Sequence, residues 1–174
     1  MKAQDVVEVV RLLERNGVQV WLDGGWGVDA LLEEQTREHK DLDLVVALSD
    51  VPRMQALLAE RGFRLVEGGP PKSFVLADGE GRHIDVHPVT WDERGNGVYR
   101  MENGQDCTYP ASGFAGSGSV LGQRMRCLTA ETQMSLCHTG YELTEKDFRE
   151  MDALHERYGV EYPEGYRGTP TGRD

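Results

Sequence analysis

"WLDGGWGVDALLEEQTREHKDLDL", residues 21–44, decides the fold, and it contains two adjacent glycines where a predicted strand runs into a predicted helix. Glycine loses much backbone freedom on folding and is unfavourable inside either element. The presence of Gly24 and Gly25 at this junction therefore calls for an explanation. With a helix predicted to begin near Trp26, the pair lets backbone amides approach an anion at a helix N-terminus. A purely structural tight turn explains the glycines equally well, so they decide nothing alone.

Two aspartates follow in "DLDLVVAL", residues 41–48, which is predicted to be a strand. Because successive strand side chains alternate, Asp41 and Asp43 share one face, ~6–7 Å apart along the strand, while Leu42 and Leu44 face the core. The like charges carry a repulsion and a desolvation cost that a divalent cation relieves. Oxygen ligands favour Mg²⁺ or Mn²⁺ over Zn²⁺, although two solvated aspartates at a strand end have the same pattern.

A third acid strengthens the metal hypothesis. In "RHIDVHP", residues 82–88, Asp85 alternates with two apolar residues and so lies on the polar face of its predicted strand. If this strand lies beside that of Asp41 and Asp43, three carboxylates converge as needed to hold one or two Mg²⁺ ions for phosphoryl or nucleotidyl transfer. His83 and His87 share that face, so a His-Asp-His transition-metal site is the alternative, which the excess of aspartates disfavours.

Composition restricts the partners. The chain has 30 acidic and 19 basic residues and a formal net charge of −11, which opposes binding to a long polyanion such as nucleic acid. No run approaches the ~20 apolar residues of a membrane span, so no membrane partner is expected. Three widely spaced cysteines, Cys107, Cys127 and Cys137, do not form a disulfide or zinc-ribbon pattern and favour a reducing cytoplasm.

Helical and strand patterns alternate along the chain and predict an α/β protein of the α+β type, with a mixed β-sheet, flanking helices and a C-terminal helical segment. Residues 1–122 are expected to form a catalytic core, and residues 123–174 the helical segment and a loose tail. The predicted helices cover residues 5–16, 26–34, 51–62, 129–139 and 144–159. The predicted strands cover residues 18–22, 41–48, 63–67, 73–78, 83–89 and 123–128, and residues 102–122 read as an exposed loop with a short strand near Cys107.

A family resemblance rests on the order GG-W-x-V-D, then DLD, then a lone aspartate on a later strand. This order resembles the nucleotidyltransferase superfamily that includes DNA polymerase beta. With "HIDVHP" at 83–88 and "HTGYELTEKDFREMDAL" at 138–154, the chain looks like the lincosamide nucleotidyltransferases, with aminoglycoside 2″-nucleotidyltransferases as near relatives. The match extends from about Trp21 to Leu154; residues 90–125 are its least specific part.

The resemblance implies a nucleotidyltransferase fold and a role for each matched residue. Gly24 and Gly25 would hold nucleotide phosphates, and Asp41 and Asp43 would bind Mg²⁺. Asp85 would complete the site, either as a third metal ligand or as the base that accepts the proton of the acceptor hydroxyl.

Further candidates flank these motifs. Arg37 is predicted to neutralise triphosphate, although a solvated charged loop with His39 and Lys40 is the simpler explanation. Lys146 lies in the first turn of the last predicted helix, where its charge opposes the helix dipole, and in the resembling enzymes this segment closes over the nucleotide. Aromatic side chains could wall an antibiotic or nucleotide pocket or simply pack in the core. Trp26 is the first choice among them, before Trp91, Tyr99 and Tyr141.

We therefore expect an Mg²⁺-dependent nucleotidyltransferase, a monomer or homodimer, that moves AMP from ATP to a hydroxyl of a small antibiotic. A lincosamide is the first acceptor and an aminoglycoside the second. A toxin-like transferase acting on tRNA or protein is an alternative, and the net charge of −11 counts against tRNA. A non-catalytic nucleotide-binding or antitoxin-like module on the same fold is another, which the presence of all three acids disfavours.

Overall fold

The computed structural model describes residues 1–100, 106–136 and 143–163 of the 174-residue chain. Helices and strands alternate through the first half, and helices dominate the end. The helices are α1 (Ala3–Arg15), α2 (Gly24–Leu32), α3 (Val51–Ala59), α4 (Ala130–Leu136) and α5 (Glu145–Tyr158). The strands are β1 (Val20–Asp23), β2 (Asp41–Ala47), β3 (Arg64–Gly68), β4 (Phe74–Ala77), β5 (His83–Trp91), β6 (Gly97–Arg100), β7 (Asp106–Tyr109), β8 (Ser117–Val120) and β9 (Gln123–Arg126).

The main sheet is mixed, as predicted. Its central order is β1-β2-β5-β4-β3, in which only the β2–β5 pair is parallel. The far end of β5 pairs with β6, and β6 pairs with β7. The expected convergence therefore occurs, because β5 pairs directly with β2 on one side while its hairpin partner β4 lies on the other.

Residues 97–100 and 106–122 contain more regular structure than the sequence predicts. Strand β7 confirms the expected short strand near Cys107, whereas β6, the 3₁₀ turn at Ala111–Ala115 and β8 were not predicted. β8 and β9 form a hairpin, and the expected division after residue 122 falls in its turn. The alternation there is too short, and too rich in Gly and Ser, to stand out from a loop.

The main core lies on one face of the sheet. Helices α1, α2 and α3 bury their apolar sides there against strand residues such as Leu42, Leu44 and Ile84, all 0% exposed. A smaller cluster occupies the opposite face and contains Trp21, Val45, Val89, Tyr109 and Leu128, with Tyr99 and Phe114 against it. The polar side chains of β2 and β5 lie on this second face, because they alternate with the core residues.

Helix α2 begins at Gly24, two residues before the predicted start, and Asp23 is its N-cap. The side chain of Asp23 accepts a hydrogen bond from Gly24 N at 2.8 Å. Trp26 is 1% exposed and its ring packs in the main core. A part for Trp26 in nucleotide binding stays a prediction.

Helix α5 begins with a capping box, in which the backbone N–H and the hydroxyl of Thr144 donate to Asp147 Oδ2 at 2.8 and 2.6 Å. It packs on the main core through Met151 and Leu154, and Gly159 ends it in a left-handed conformation. The predicted helix at 129–139 is described only to residue 136. Within the described ranges, no helix is both long and apolar enough to cross a membrane.

Candidate active site

Three neighbouring strands bring carboxylates into one row. Asp23 on β1 lies opposite Asp43 on β2, and Asp43 lies beside Asp85 on β5. Asp41, two residues earlier on β2, lies on the same face beside His83. The predicted juxtaposition of Asp41, Asp43 and Asp85 is thus present, and it follows from the alternation of side chains on adjacent strands.

The electrostatic environment of Asp85 is strongly perturbed. Partial burial, together with the negative charges of Asp43 and Asp41, raises its pKa to about 6. At neutral pH the carboxyl is mostly ionised but readily takes up a proton. A positive ion near Asp41, Asp43 and Asp85 would relieve the repulsion that produces this shift.

Asp23 is a site residue that the sequence analysis missed. It is 8% exposed, and burial raises its pKa, with Asp43 adding to the effect. Its carboxylate bonds Gly24 N and the hydroxyl of Tyr109, so it joins the glycine turn to the second face of the sheet. An aspartate directly before a helix start is an N-cap signal that could have identified it.

His87 borders the row on β5. Its Nε2 is 3.8 Å from Asp43 Oδ1, and its ring meets Tyr99 edge-on at 5.5 Å between centroids. Its Nδ1 is buried without a hydrogen-bond partner among the described residues. Burial opposes protonation, but the carboxylates of Asp43, Asp23 and Asp85 prevail and raise the pKa of His87.

The donor set of this face suits a hard cation, because carboxylate oxygens dominate it. No group of three or more His, Cys, Asp and Glu side chains in the described part of the chain is arranged to hold a metal ion. The aspartate site and the alternative with His83 and His87 therefore both remain predictions. The repulsion at Asp85 favours the aspartate set, since it identifies where positive charge is lacking.

The glycine turn is tight because site side chains pack against it. Gly24 has φ +55°, and a Cβ there would lie 2.5 Å from Asp43 Oδ2. A Cβ on Gly25 would overlap the ring of His39 and lie 2.7 Å from Arg37 Nη2. Protein groups thus require these glycines in the structure, and phosphate binding by their amides stays a prediction.

A buried contact between His39 and Asp29 braces the loop between α2 and β2. His39 Nε2 lies 2.5 Å from Asp29 Oδ2, and both side chains are 2% exposed. Thr36 donates its hydroxyl and its backbone N–H to Asp29 Oδ1 at 2.6 and 3.1 Å. The ring of Trp26 packs against His39 at 4.6 Å, so Trp26 supports the loop from below.

Arg37 and Lys146, the two predicted phosphate-binding cations, line one cavity of about 240 Å³ between α2 and α5. Arg37 donates from Nε and Nη2 to Glu150 Oε1 at 2.9 and 2.6 Å, and from Nη1 to the Glu38 carbonyl at 3.2 Å. Burial raises the pKa of Glu150, and Arg37 opposes that rise. Lys146 is exposed on the first turn of α5.

Another cavity, of about 250 Å³, adjoins Asp85 and is lined mainly by residues of β3, β4 and β5. Its lining includes Asp85, His87, Glu67 and Ser73. The aromatic candidates are divided: Trp91 is 45% exposed and packs on Phe114 at 4.7 Å, whereas Tyr141 lies outside the described residues.

Comparison with known proteins agrees with this geometry. A sequence model described as aminoglycoside-2″-adenylyltransferase matches residues 5–154, which include every element from β1 to β9 and all four aspartates of the row. The chain belongs to this family. The predicted resemblance to antibiotic-modifying nucleotidyltransferases is confirmed, and a nucleoside triphosphate is the substrate that nucleotidyltransferases share.

Individual relatives of this adenylyltransferase-family chain include a lincosamide resistance protein of Staphylococcus haemolyticus, 30% identical over 84% of this chain and 93% of the relative. A 2″-aminoglycoside nucleotidyltransferase of Escherichia coli is 28% identical over 66% of this chain and 59% of the relative. A solved lincosamide antibiotic adenylyltransferase with lincomycin bound has a TM-score of 0.76 at 27% identity, covering 88% of this chain and 96% of that one.

The fold also matches a more distant solved structure. An aminoglycoside 2″-nucleotidyltransferase in complex with adenylyl-2″-tobramycin has a TM-score of 0.69 at 18% identity, over 88% of this chain and 87% of that one. This likeness concerns the fold and confirms the nucleotidyltransferase architecture.

Proposed function

We propose that this chain is an Mg²⁺-dependent enzyme that transfers AMP from ATP to a hydroxyl of an antibiotic, a lincosamide first and an aminoglycoside second. The observation that carries the proposal is the row in which Asp43 lies beside Asp85, with Asp41 on the same face and the Gly24–Gly25 turn against Asp43. Membership in the adenylyltransferase family supports the nucleotidyl chemistry.

Each residue of the site has a part in the proposed reaction. The acceptor hydroxyl attacks the α-phosphorus of ATP, and Asp85 accepts its proton, for which a pKa of about 6 leaves it mostly ionised at neutral pH. Asp41, Asp43 and Asp85 would hold Mg²⁺, and a bound Mg²⁺ would supply Lewis-acid stabilisation of the negative charge that develops in the reaction. The amides of Gly24 and Gly25 and the side chains of Arg37 and Lys146 stabilise the triphosphate and the departing pyrophosphate.

The order of acceptors rests on the relatives and on charge. A lincosamide resistance protein is 30% identical over 84% of this chain, which favours a lincosamide as the first acceptor. An aminoglycoside is a polycation, and a chain with net charge −11 would attract it by electrostatic steering. The cavity beside Asp85 also contains the carboxylate of Glu67, which suits a protonated amine on either acceptor.

The cytoplasm is the proposed compartment, since it supplies ATP and Mg²⁺ and keeps thiols reduced. Cys107 and Cys127 are free thiols, in keeping with that setting. Both the monomer and the homodimer accommodate the reaction, because every residue named in it comes from one chain.

The test is a screen of purified protein with Mg²⁺, each of the four common ribonucleoside triphosphates, and a panel of lincosamides and aminoglycosides. We expect pyrophosphate release together with an acceptor whose mass rises by one AMP. The Asp43→Asn variant is the control for metal-dependent transfer. Release of no pyrophosphate with any acceptor would favour a nucleotide-binding module, and modification of added tRNA or protein would favour a toxin-like transferase.

A further inference from the structure

Two segments that are 113 residues apart in sequence meet at the glycine turn. Glu150 lies on α5 and is 7% exposed, so its carboxylate is largely desolvated. A buried carboxylate needs strong hydrogen bonds, and Arg37 supplies two of them to the single oxygen Oε1. The side chain of Arg37 is itself 32% exposed, so this ion pair joins a buried acid to a cation that still reaches the cavity.

The position of Arg37 follows from this pairing. Its guanidinium rests against Gly25, with Nη2 at 2.7 Å from the place where a Cβ would lie. Described acceptors on Glu150 and Glu38 take three of its five N–H groups. The remaining donors are on the two terminal nitrogens, which lie by the glycine turn and the cavity shared with Lys146.

We propose that Glu150 is a positioning residue for nucleotide binding: it fixes the guanidinium of Arg37 beside Gly25, where the remaining N–H groups meet the triphosphate. The inference rests on the proposed function, in which Arg37 contacts phosphate. Helix α5 then contributes to nucleotide affinity through Glu150 as well as Lys146, although Glu150 contacts neither substrate. An unsupported arginine would have to be ordered by the nucleotide itself, at a cost in side-chain entropy.

The competing roles for Glu150 make different predictions. A purely structural ion pair would stabilise the fold and leave nucleotide affinity unchanged. A sequestering ion pair would hold Arg37 away from phosphate, so that its loss would tighten nucleotide binding. A positioning pair loses affinity when the side chain is truncated, and recovers it when a side chain of the same shape still offers an oxygen.

The experiment measures the dissociation constant of Mg-ATP by titration calorimetry without acceptor, together with thermal unfolding. We expect Glu150→Ala to weaken Mg-ATP binding about tenfold, the loss of roughly one charge-assisted hydrogen bond, and to raise the KM for ATP more than it lowers kcat. Glu150→Gln should recover most of the affinity. Glu156→Ala, the same substitution at an exposed position of α5, should change neither quantity.

A double-mutant cycle shows whether Glu150 acts through Arg37. In an Arg37→Ala background, Glu150→Ala should weaken Mg-ATP binding no further. An equal loss in both backgrounds, tighter binding by Glu150→Ala, or a lowered melting temperature with unchanged affinity would each overturn the inference. Parent protein that binds Mg-ATP but modifies no acceptor would refute the proposed function alone, and parent protein that binds no Mg-ATP would refute both.

Discussion

The glycine turn makes a prediction that separates packing from ligand approach. In Gly25→Ala, the new methyl group would lie 2.5 Å from His39 Cε1 and 2.7 Å from Arg37 Nη2. The end of Arg37 is flexible and can move, at the expense of its bonds to Glu150. The ring of His39 is 2% exposed and held by Asp29, so it cannot retreat without breaking a buried hydrogen bond.

The size of the effect follows from that fixed neighbour. Forcing one extra carbon into a well-packed site costs about 1–3 kcal/mol of the free energy of unfolding. For a domain of this size each kcal/mol lowers the melting temperature by roughly 2–4 °C, so we expect a fall of roughly 2–12 °C. Binding of Mg-ATP should weaken as well, because Arg37 and the turn are displaced together.

The assay is thermal unfolding of purified Gly25→Ala beside Gly79→Ala. Gly79 lies exposed in the β4–β5 turn, a Cβ there would meet nothing within 4 Å, and its φ needs no glycine. The free energy of unfolding of that control should lie within about 0.5 kcal/mol of the value for the parent. If Gly25→Ala had the melting temperature of the control but bound Mg-ATP more weakly, the glycine would be needed for approach of the ligand. The packing explanation would then be refuted.

Three further predictions concern charge. Asp43→Asn should cut transfer at least ~10²-fold with the melting temperature retained, since it removes a negative charge from the proposed metal site. Asp85→Asn should bind Mg-ATP within about tenfold of the parent yet lose at least ~10²-fold in single-turnover rate, as removal of a general base does; added Mg²⁺ that restored the rate would leave it a metal ligand only. Hydrogen bonds from Arg82 outweigh burial and lower the pKa of Asp78, so this pair stabilises the fold above the usual pKa of 3.8 and stops doing so as the pH falls through the lowered value. In urea unfolding followed by circular dichroism, Arg82→Ala should therefore lower the midpoint at pH 7, and this difference from the parent should shrink as the pH falls below 3.8; a difference of the same size at every pH would contradict the linkage.

The carboxylate row was predictable in part, because the faces of its strands depend on local rules. Period-two alternation places Asp41, Asp43 and Asp85 opposite apolar neighbours, so the polar face of each strand could be predicted from the sequence. The parallel pairing of β2 with β5 joins Asp43 to Asp85 across 42 residues, and the sequence analysis had to assume it.

Other parts of the site depend on angles and contacts that the sequence does not display. The ring of Trp26 is 1% exposed and packs against His39, a tertiary contact that its place after the glycine turn does not display. Glu150 was missed because its partner Arg37 is 113 residues away, and a glutamate on a helix is ordinarily a solvated one.

Among the described strands of the main sheet, β2 and β5 form the parallel pair, and their side chains disfavour any shift of its register. A slip of one residue would turn every β5 side chain over, which would send Asp85 and His87 into the apolar core and Ile84 and Val86 out of it. An unpaired carboxylate in that core would cost several kcal/mol. The acids proposed for catalysis thus also fix the alignment of β2 and β5. Single-residue insertions should therefore be tolerated in the turns that flank β2 and β5 but not within these two strands.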